Sequence, residues 1–170
     1  MNKIAVLDLG TNTFHLHIVE RNGKAVHTLA HQKLNTKLDA YGINDQTIPN
    51  NTVKRAVSVH NEFAKHIHGH KVDRVHAFGT SAFRNASNSA YVIDEIFRRT
   101  GINVEILSGE REAQLIYYGT LRKVAGNQLN LVMDIGGGSV EYIIGHGKNM
   151  LWLKSYEIGV HRLSEVFSTF

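Results

Sequence analysis

The sequence predicts an α/β protein in which one strand unit occurs twice. The first observation is that AVLDLGTNT at 5–13 and LVMDIGGGS at 131–139 share a pattern of apolar strand, aspartate and small-residue turn. The second is that a strand, a Gly-Lys turn and another strand follow each segment. The third is that helical and strand patterns alternate between the two segments, which is typical of α/β domains. The spacing of 126 residues from Asp8 to Asp134 therefore indicates an internal duplication.

The elements of the first unit follow from periodicity and turn residues. Alternating apolar residues predict strands, apolar residues at spacings of three and four predict helices, Asn22-Gly23 predicts a hairpin, and Gly69 is expected to end the first helix. In order, we expect strands at 4–7, 14–19 and 25–33, a polar loop at 37–49, a helix at 51–68, a strand at 72–78, a helix at 91–99, a strand at 102–107 and a helix at 110–124.

The second unit repeats the three strands and then ends. Its expected elements are a buried strand at 129–133, strands at 140–144 and 150–156, and a helix at about 159–167. Gly126-Asn127-Gln128 is the one convincing internal boundary, so we predict a first domain at 1–125 and the start of a second at 126–170. Because this second unit is short, we expect the chain to be the N-terminal portion of a longer protein.

Composition excludes several classes of protein. The chain has no cysteine, which rules out disulfides, a thiolate nucleophile and thiolate metal ligands. Its 19 basic residues against 15 acidic ones form no long basic run, so no specific nucleic-acid partner is predicted. The N-terminal residues lack the long apolar stretch and small-residue cleavage site of a signal peptide, and no run of 18 apolar residues occurs. We therefore expect a soluble, cytoplasmic protein without a membrane partner.

The octapeptide Asp134–Glu141 carries the strongest chemical pattern. Gly136, Gly137 and Gly138 expose main-chain N–H groups on which an anion can sit, and Ser139 adds a hydroxyl. The carboxylates at its two ends are hard oxygen donors that suit a divalent cation. Taken alone, the octapeptide fits a metal-bound phosphate and a plain glycine turn between two strands equally well.

Two further segments suit phosphate chemistry, each with a simpler alternative. Thr11, Asn12 and Thr13 follow Asp8 as main-chain and side-chain donors, although Asp8 could only cap the turn. Arg84 follows the end of a strand, where ligands bind in α/β sheets, but an ordinary surface arginine fits equally.

Two more features bear on chemistry. Glu112 lies in the first turn of the helix at 110–124, where it is either a general base or a partner of the helix dipole. The His66-His68-His70 cluster has the composition of a metal site, yet its place at a helix end favours a solvated terminus.

Four motifs in order resemble a known family. DLGTNTFHLHIVE, GTSAFRNASN, ILSGEREAQLIYYG and LVMDIGGGSVEYIIG are similar to segments of the exopolyphosphatase/guanosine pentaphosphate phosphohydrolase family, and the resemblance runs from residue 4 to about 168. It implies two duplicated ribonuclease-H-like domains of the actin-like ATPase fold with a cleft between them, the second incomplete in this chain. It also implies release of terminal phosphate from inorganic polyphosphate or guanosine pentaphosphate, and a homodimer, which is common in the family.

The resemblance assigns a role to each candidate residue. It implies that Glu112 is the base that activates water, and that Asp134 and Glu141 hold Mg²⁺. Phosphate contacts are implied for Asp8, Thr11, Asn12, Thr13, Arg84, Gly136, Gly137, Gly138 and Ser139. His15 stands where the family often has an arginine, which departs from its usual phosphate contact.

Two other functions share the same motifs. An ATP-dependent sugar kinase or actin-like ATPase of the same superfamily would use these loops to hold ATP. A non-catalytic sensor of polyphosphate or nucleotide would need the loops alone. The presence of Glu112, Asp134 and Glu141 favours the hydrolase over the sensor, because a pure binder needs no carboxylate that activates water. The kinase or ATPase alternative stays open, because its adenosine site would lie in the missing part of the second domain.

Overall fold

The computed structural model describes residues 2–38, 46–121 and 128–167 and has the predicted mixed α/β architecture. The chain divides into two compact units, Met1–Ile106 and Leu107–Phe170. The division lies earlier than the predicted boundary at 125/126, which falls at residues outside the described ranges. In the described part of the chain, no helix is both long and apolar enough to cross a membrane.

The first unit is built on a five-stranded sheet. Its first two strands are antiparallel neighbours, and the fourth lies parallel to the first on its other side. The strand order is β3-β2-β1-β4-β5. The strands are β1 (Asn2–Leu9), β2 (Thr13–Asn22), β3 (Ala25–Asn35), β4 (Arg74–Gly79) and β5 (Val104–Ile106).

Three helices belong to the first unit: α1 (Asn50–Gly69), α2 (Ser81–Asn85) and α3 (Ser89–Thr100). Alternate side chains of the central strands form one apolar core with α1 and α3, so these helices cover one face of the sheet. The fully buried members from β1 and β2 are Ala5, Leu7, Leu9, Phe14, Leu16 and Ile18. The residues that alternate with these six along β1 and β2 project from the opposite face of the sheet.

Two local expectations changed in the first unit. Gly69 does not end α1 in a left-handed conformation; the helix includes it, and Lys71 takes the positive φ of 52° instead. The end of α1 is stabilised instead by His70, whose backbone N–H and ring nitrogen Nδ1 both bond to the His66 carbonyl. Residues 39–45 of the predicted polar loop lie outside the described ranges.

The second unit repeats the meander of the first three strands. Its sheet has the order β6-β7-β8, and one long helix precedes it in the chain. The elements are α4 (Gly109–Thr120), β6 (Leu129–Ile135), β7 (Val140–His146), β8 (Asn149–Tyr156) and α5 (Val160–Phe167). The predicted extension of α4 to 124 reaches residues that the structure does not describe.

The prediction that 129–133 is a buried strand was half wrong. β6 forms there, but Leu129, Leu131 and Met133 expose 66%, 67% and 52% of their surfaces within the described residues. β6 is an edge strand, and α4 packs only on the face that carries Val132 and Ile143. Apolarity therefore predicted the strand correctly, but only one of its two faces is covered.

The two meanders match in register as well as in order. Asp8 pairs with His15 across β1 and β2, and Asp134 pairs with Glu141, 126 positions further along in both members. The register of the second and third strands shifts between Ile18 and Val19 in one unit and between Ile144 and Gly145 in the other, again at 126. Shared β-bulges at equivalent positions support the predicted duplication.

His60 is a fully buried histidine in the core of the first unit. Its Nδ1 bonds to the Ala56 carbonyl at 2.8 Å, while Nε2 has no hydrogen-bond partner among the described residues. The Phe14 ring lies edge-on at 5.2 Å. Desolvation by this apolar surrounding lowers the pKa of His60 to about 4, against a partial opposing effect of the Ala56 carbonyl.

We predict that His60 makes the first unit sensitive to mild acid. An unfolded histidine binds its proton near pH 6.5, whereas folded His60 stays neutral to about pH 4. Stability is therefore complete above pH 6.5 and falls as the pH drops through this window, by about 3 kcal/mol from this residue. Urea unfolding from pH 7 to 4 should show a flatter pH dependence for His60→Leu than for the wild type. The exposed His27→Gln should follow the wild type, and parallel curves for wild type and His60→Leu would contradict the prediction.

Candidate active site

The two predicted phosphate loops close with the same hydrogen bond. The Gly10 N–H donates to the Thr13 carbonyl at 3.1 Å, and the Gly136 N–H donates to the Ser139 carbonyl at 2.9 Å. A side chain at either glycine would stand 3.0–3.1 Å from that carbonyl oxygen, tighter than an ordinary contact. Each strand thus turns sharply just after its aspartate, which fixes where the loop's main chain points.

In the first loop, the carbonyl groups are held on one side. The Asn12 carbonyl accepts from the N–H groups of Thr36 and Lys37, and the Thr11 carbonyl accepts from Leu38, all at 2.9 Å. In a trans peptide the C=O and the following N–H point in opposite directions. The N–H groups of residues 12 and 13 therefore point away from the segment at 36–38.

The second loop uses the start of α5 for the same purpose. The carbonyls of Gly136, Gly137 and Gly138 accept hydrogen bonds at 2.9–3.1 Å from the N–H groups of residues 159–161. By the same peptide geometry, the N–H groups of residues 137–139 point to the opposite side. Successive N–H groups directed to one side are the arrangement that binds anions such as phosphate.

The Arg84 segment lies at the same sheet edge as the first loop. β1 and β4 are parallel, Leu9 pairs with Gly79, and the Thr80 N–H lies 3.4 Å from the Leu9 carbonyl. α2 begins at the next residue and places the half-buried Arg84 one turn further on. The structure therefore brings Asp8, the loop at 11–13 and the Arg84 segment to the same edge of the first sheet.

Asp134 and Glu141 lie directly opposite each other on β6 and β7. Facing residues in an antiparallel pair project to the same side, so the two carboxylates are neighbours. Glu141 is only 2% exposed and accepts a 2.7 Å hydrogen bond from the Ser155 hydroxyl, whereas Asp134 is exposed. One fixed and one accessible carboxylate form a donor set that fits Mg²⁺, which is typically bound by one or two carboxylates together with water and phosphate.

Glu112 lies in the first turn of α4, half-buried. Ser108 caps this helix, because its side chain accepts the Arg111 N–H at 3.1 Å. The helix is fixed to the sheet by Tyr117, whose hydroxyl donates to the Gly147 carbonyl at 2.7 Å. The Tyr117 ring occupies the space above Gly145, where an added Cβ would lie 2.0 Å from its hydroxyl oxygen. This contact sets the position of Glu112 relative to the second unit's strands.

Several supporting residues were not found from the sequence. Arg162 is one: its Nε donates to the Gly138 carbonyl at 2.9 Å, and its guanidinium pairs with Glu157 at 3.2 Å. Ser155 and Tyr117 act through partners 14 and 30 positions away, which local patterns do not reveal. The one available signal was Gly159, a glycine directly before a helix, since α5 approaches the loop there.

Two other features lie away from these residues. A surface cavity of about 760 Å³ is lined by parts of α1, β4 and residues 100–105, and none of the predicted site residues lines it. The predicted cluster of His66, His68 and His70 does not group its ring nitrogens for a metal within the described residues. The Gln32 side chain bonds to the His66 ring at 2.7 Å.

Comparisons with known proteins converge on one family. A family model described as the Ppx/GppA phosphatase family matches residues 17–169. A guanosine-5'-triphosphate,3'-diphosphate pyrophosphatase from Photobacterium profundum is 36% identical over 156 residues, which are 91% of this chain and 31% of that protein.

Solved structures agree with this match. An exopolyphosphatase from Cytophaga hutchinsonii has a TM-score of 0.95 at 41% identity, covering 98% of this chain and 54% of the other. A Ppx/GppA family member from Aquifex aeolicus has a TM-score of 0.84 at 26% identity, with the same coverage. These neighbours confirm the predicted actin-like ATPase fold, and the chain spans about half of their length.

We predict that Gly159 is required for the second loop. An added Cβ would lie 2.3 Å from the Gly137 carbonyl oxygen and 2.5 Å from the Gly138 carbonyl carbon, both backbone atoms that cannot rotate away. Gly159→Ala should therefore lower the free energy of unfolding by about 1–3 kcal/mol in urea titrations. Gly119→Ala is the matched control, because nothing lies within 4 Å of its Cβ and alanine favours helix. Equal stability of the two variants would contradict this assignment.

Proposed function

Because this chain belongs to the Ppx/GppA phosphatase family, we propose that it carries the phosphate-binding and catalytic residues of a phosphohydrolase. The substrates are inorganic polyphosphate or guanosine pentaphosphate, from which the enzyme releases the terminal phosphate. The observation that carries the proposal is the pair of loops with the same closing hydrogen bond and N–H groups directed to one side. A phosphate chain is the anion whose repeated charges such loops suit.

The loops bind and orient the phosphate chain. Main-chain N–H groups of residues 12–13 and 137–139 donate to phosphate oxygens, and the hydroxyls of Thr11, Thr13 and Ser139 supplement them. Arg84 takes two oxygens at once, which a guanidinium does better than an ammonium. Fixed donors of this kind stabilise the charge that develops in the transition state without reorganising during the reaction.

Glu112 acts as the general base. It accepts a proton from a water molecule, the water oxygen attacks the terminal phosphorus, and the phosphoanhydride bond to the next phosphate breaks. The products are inorganic phosphate and a chain that is one phosphate shorter. Positioned carboxylates in this role contribute about 10²–10⁴-fold to the rate.

Mg²⁺ is the proposed cofactor, held by Asp134 and Glu141. When bound, it neutralises phosphate charge and thereby assists departure of the leaving group. The chain's own contribution is the orientation of the donors. Ser155 holds the Glu141 carboxylate through its 2.7 Å hydrogen bond, while exposed Asp134 is accessible to a hydrated cation.

The proposed base is tested by a matched pair of glutamates. Glu110 and Glu112 share the first turn of α4, and Glu110 is exposed. We expect Glu112→Gln to lower phosphate release from long-chain polyphosphate or guanosine pentaphosphate by at least about 10²-fold. Phosphate release by Glu110→Gln should stay within about twofold of the wild type. This variant loses the same interaction with the helix dipole as Glu112→Gln but keeps the proposed base. An unchanged rate for Glu112→Gln would refute the assignment of Glu112 as the base. Phosphate release from ATP, with none from polyphosphate or guanosine pentaphosphate, would refute the proposed substrate class.

The proposed metal site makes a separate prediction. Asp134→Asn removes one charged oxygen donor, so the Mg²⁺ concentration for half-maximal phosphate release should rise at least about tenfold. Asp94→Asn is the control, because Asp94 is a surface carboxylate paired with Arg98 on α3. An unshifted Mg²⁺ dependence in Asp134→Asn would contradict its role as a ligand while leaving the base untouched.

A further inference from the structure

Three histidines meet on the face of the first sheet that α1 and α3 do not cover. His15 and His17 are two positions apart on β2 and project to the same side. His31 on β3 pairs directly with His17. The His17 and His31 rings stack with centroids 4.0 Å apart, and the His15 ring lies 5.9 Å from that of His31.

The spacing of the ring nitrogens suits a shared cation. One nitrogen from each of His15, His17 and His31 can be chosen so that all three lie within 4.8 Å of one another. A tetrahedral Zn²⁺ with imidazole ligands requires about 3.3 Å between nitrogens, given Zn–N bonds of about 2.0–2.1 Å. Rotation of exposed side chains closes this difference without moving the strands, since His17 and His31 are exposed.

The β-bulge in the hairpin creates this arrangement. The turn pairs Asn22 with Ala25, and an unbroken register from that pair would place His17 opposite Ala30. The register shift next to Ile18 inserts one residue in β3 and brings His31 opposite His17. The third histidine thus joins the face through a specific irregularity of the sheet.

The duplicated unit shows what these positions hold when they serve packing. Ile143 is the equivalent of His17, 126 positions further on, and it pairs with Leu153 as His17 pairs with His31. Ile143 is fully buried, and both residues belong to the core that α4 forms with its sheet. In the first unit, the same face carries imidazole rings in place of this apolar pair. Packing of the sheet does not by itself require imidazoles at these positions.

One hydrogen bond orients the His15 ring. Thr13 Oγ1 lies 3.3 Å from His15 Nε2, and a hydrogen bond on one ring nitrogen commonly orients a histidine that ligates through the other. This contact helps to hold His15 within the cluster.

We propose that His15, His17 and His31 form a binding site for a divalent transition-metal cation of the Zn²⁺ class. Imidazole ligands favour Zn²⁺, Ni²⁺, Co²⁺ or Cu²⁺ over Mg²⁺ and Ca²⁺. These three histidines belong to the first unit, whereas the oxygen donors Asp134 and Glu141 belong to the second. His15 pairs with Asp8 and contacts Thr13, so a bound cation places positive charge beside the first phosphate loop.

Metal titrations of the untagged chain test the site. Co²⁺ should produce the visible absorption of a nitrogen-ligated ion, and Zn²⁺ should displace it, with stoichiometry of one. His17→Gln and His31→Gln should each weaken Co²⁺ and Zn²⁺ binding at least about tenfold. His27→Gln is the matched control, since His27 is an exposed histidine on the same strand as His31, and it should change the affinity less than about twofold.

Two results would overturn the proposal. One is the absence of Co²⁺ binding to wild-type protein, and the other is equal affinity in His17→Gln, His31→Gln and His27→Gln. A His68→Gln variant tests the alternative location at the end of α1. If cation binding is lost in His68→Gln and retained in His17→Gln, the cation binds at the end of α1. Thermal midpoints of the metal-free variants should match the wild type, which separates lost ligands from lost folding. Since the readout is spectroscopic, failure of the phosphohydrolase proposal would leave this result unaffected.

Discussion

One main-chain hydrogen bond, made twice, determines the geometry on which the proposed site depends. The Gly10–Thr13 and Gly136–Ser139 bonds turn the chain immediately after an aspartate and send it into the next strand. A carboxylate at the strand end and a row of N–H groups in the turn are the direct results. Segments that come back after the third strand, at 36–38 and 159–161, then fix the loop carbonyls on one side. In the proposed function, anion binding therefore depends first on main-chain geometry, and side chains supplement it.

The two copies of this unit have diverged on one face of the sheet. In the second copy that face carries an acid, Glu141, and an apolar pair covered by α4. In the first copy the equivalent positions carry His15, His17 and His31, and the helices lie on the other side. Under the two proposals, a common backbone presents oxygen ligands in one place and nitrogen ligands in another. Because strand register fixes which residues share a face, only a few substitutions separate the two chemistries.

Much of the fold was predictable because it rests on local signals. Asn22-Gly23 predicted the first hairpin, and Gly23 has the positive φ of 59° that such a turn requires. The order of strands and helices followed from periodicity, and the two loops were found through their shared pattern. Burial of Leu131 was wrongly expected because apolarity predicts a strand without telling which face is covered.

The remainder depended on contacts between distant residues. The link from Glu141 to Ser155 requires the pairing of β7 with β8, and that of His17 with His31 requires a bulge that no turn residue announces. Lys71, rather than Gly69, adopted the left-handed conformation because α1 continued through the glycine. Such features depend on register and packing, which a single sequence does not specify.

The Tyr117 contact also constrains the order in which the second unit is assembled. Helix α4 precedes all three strands in the chain, yet its anchoring hydrogen bond reaches Gly147, 30 residues later. The helix can form early from local contacts, but its docking must wait for the β7–β8 hairpin, since that hairpin supplies both Gly145 and Gly147. During synthesis, the ribosome must therefore release the chain through β8 before Glu112 acquires a fixed position. The position of the proposed base is then fixed late, as a consequence of one tyrosine seated over one glycine.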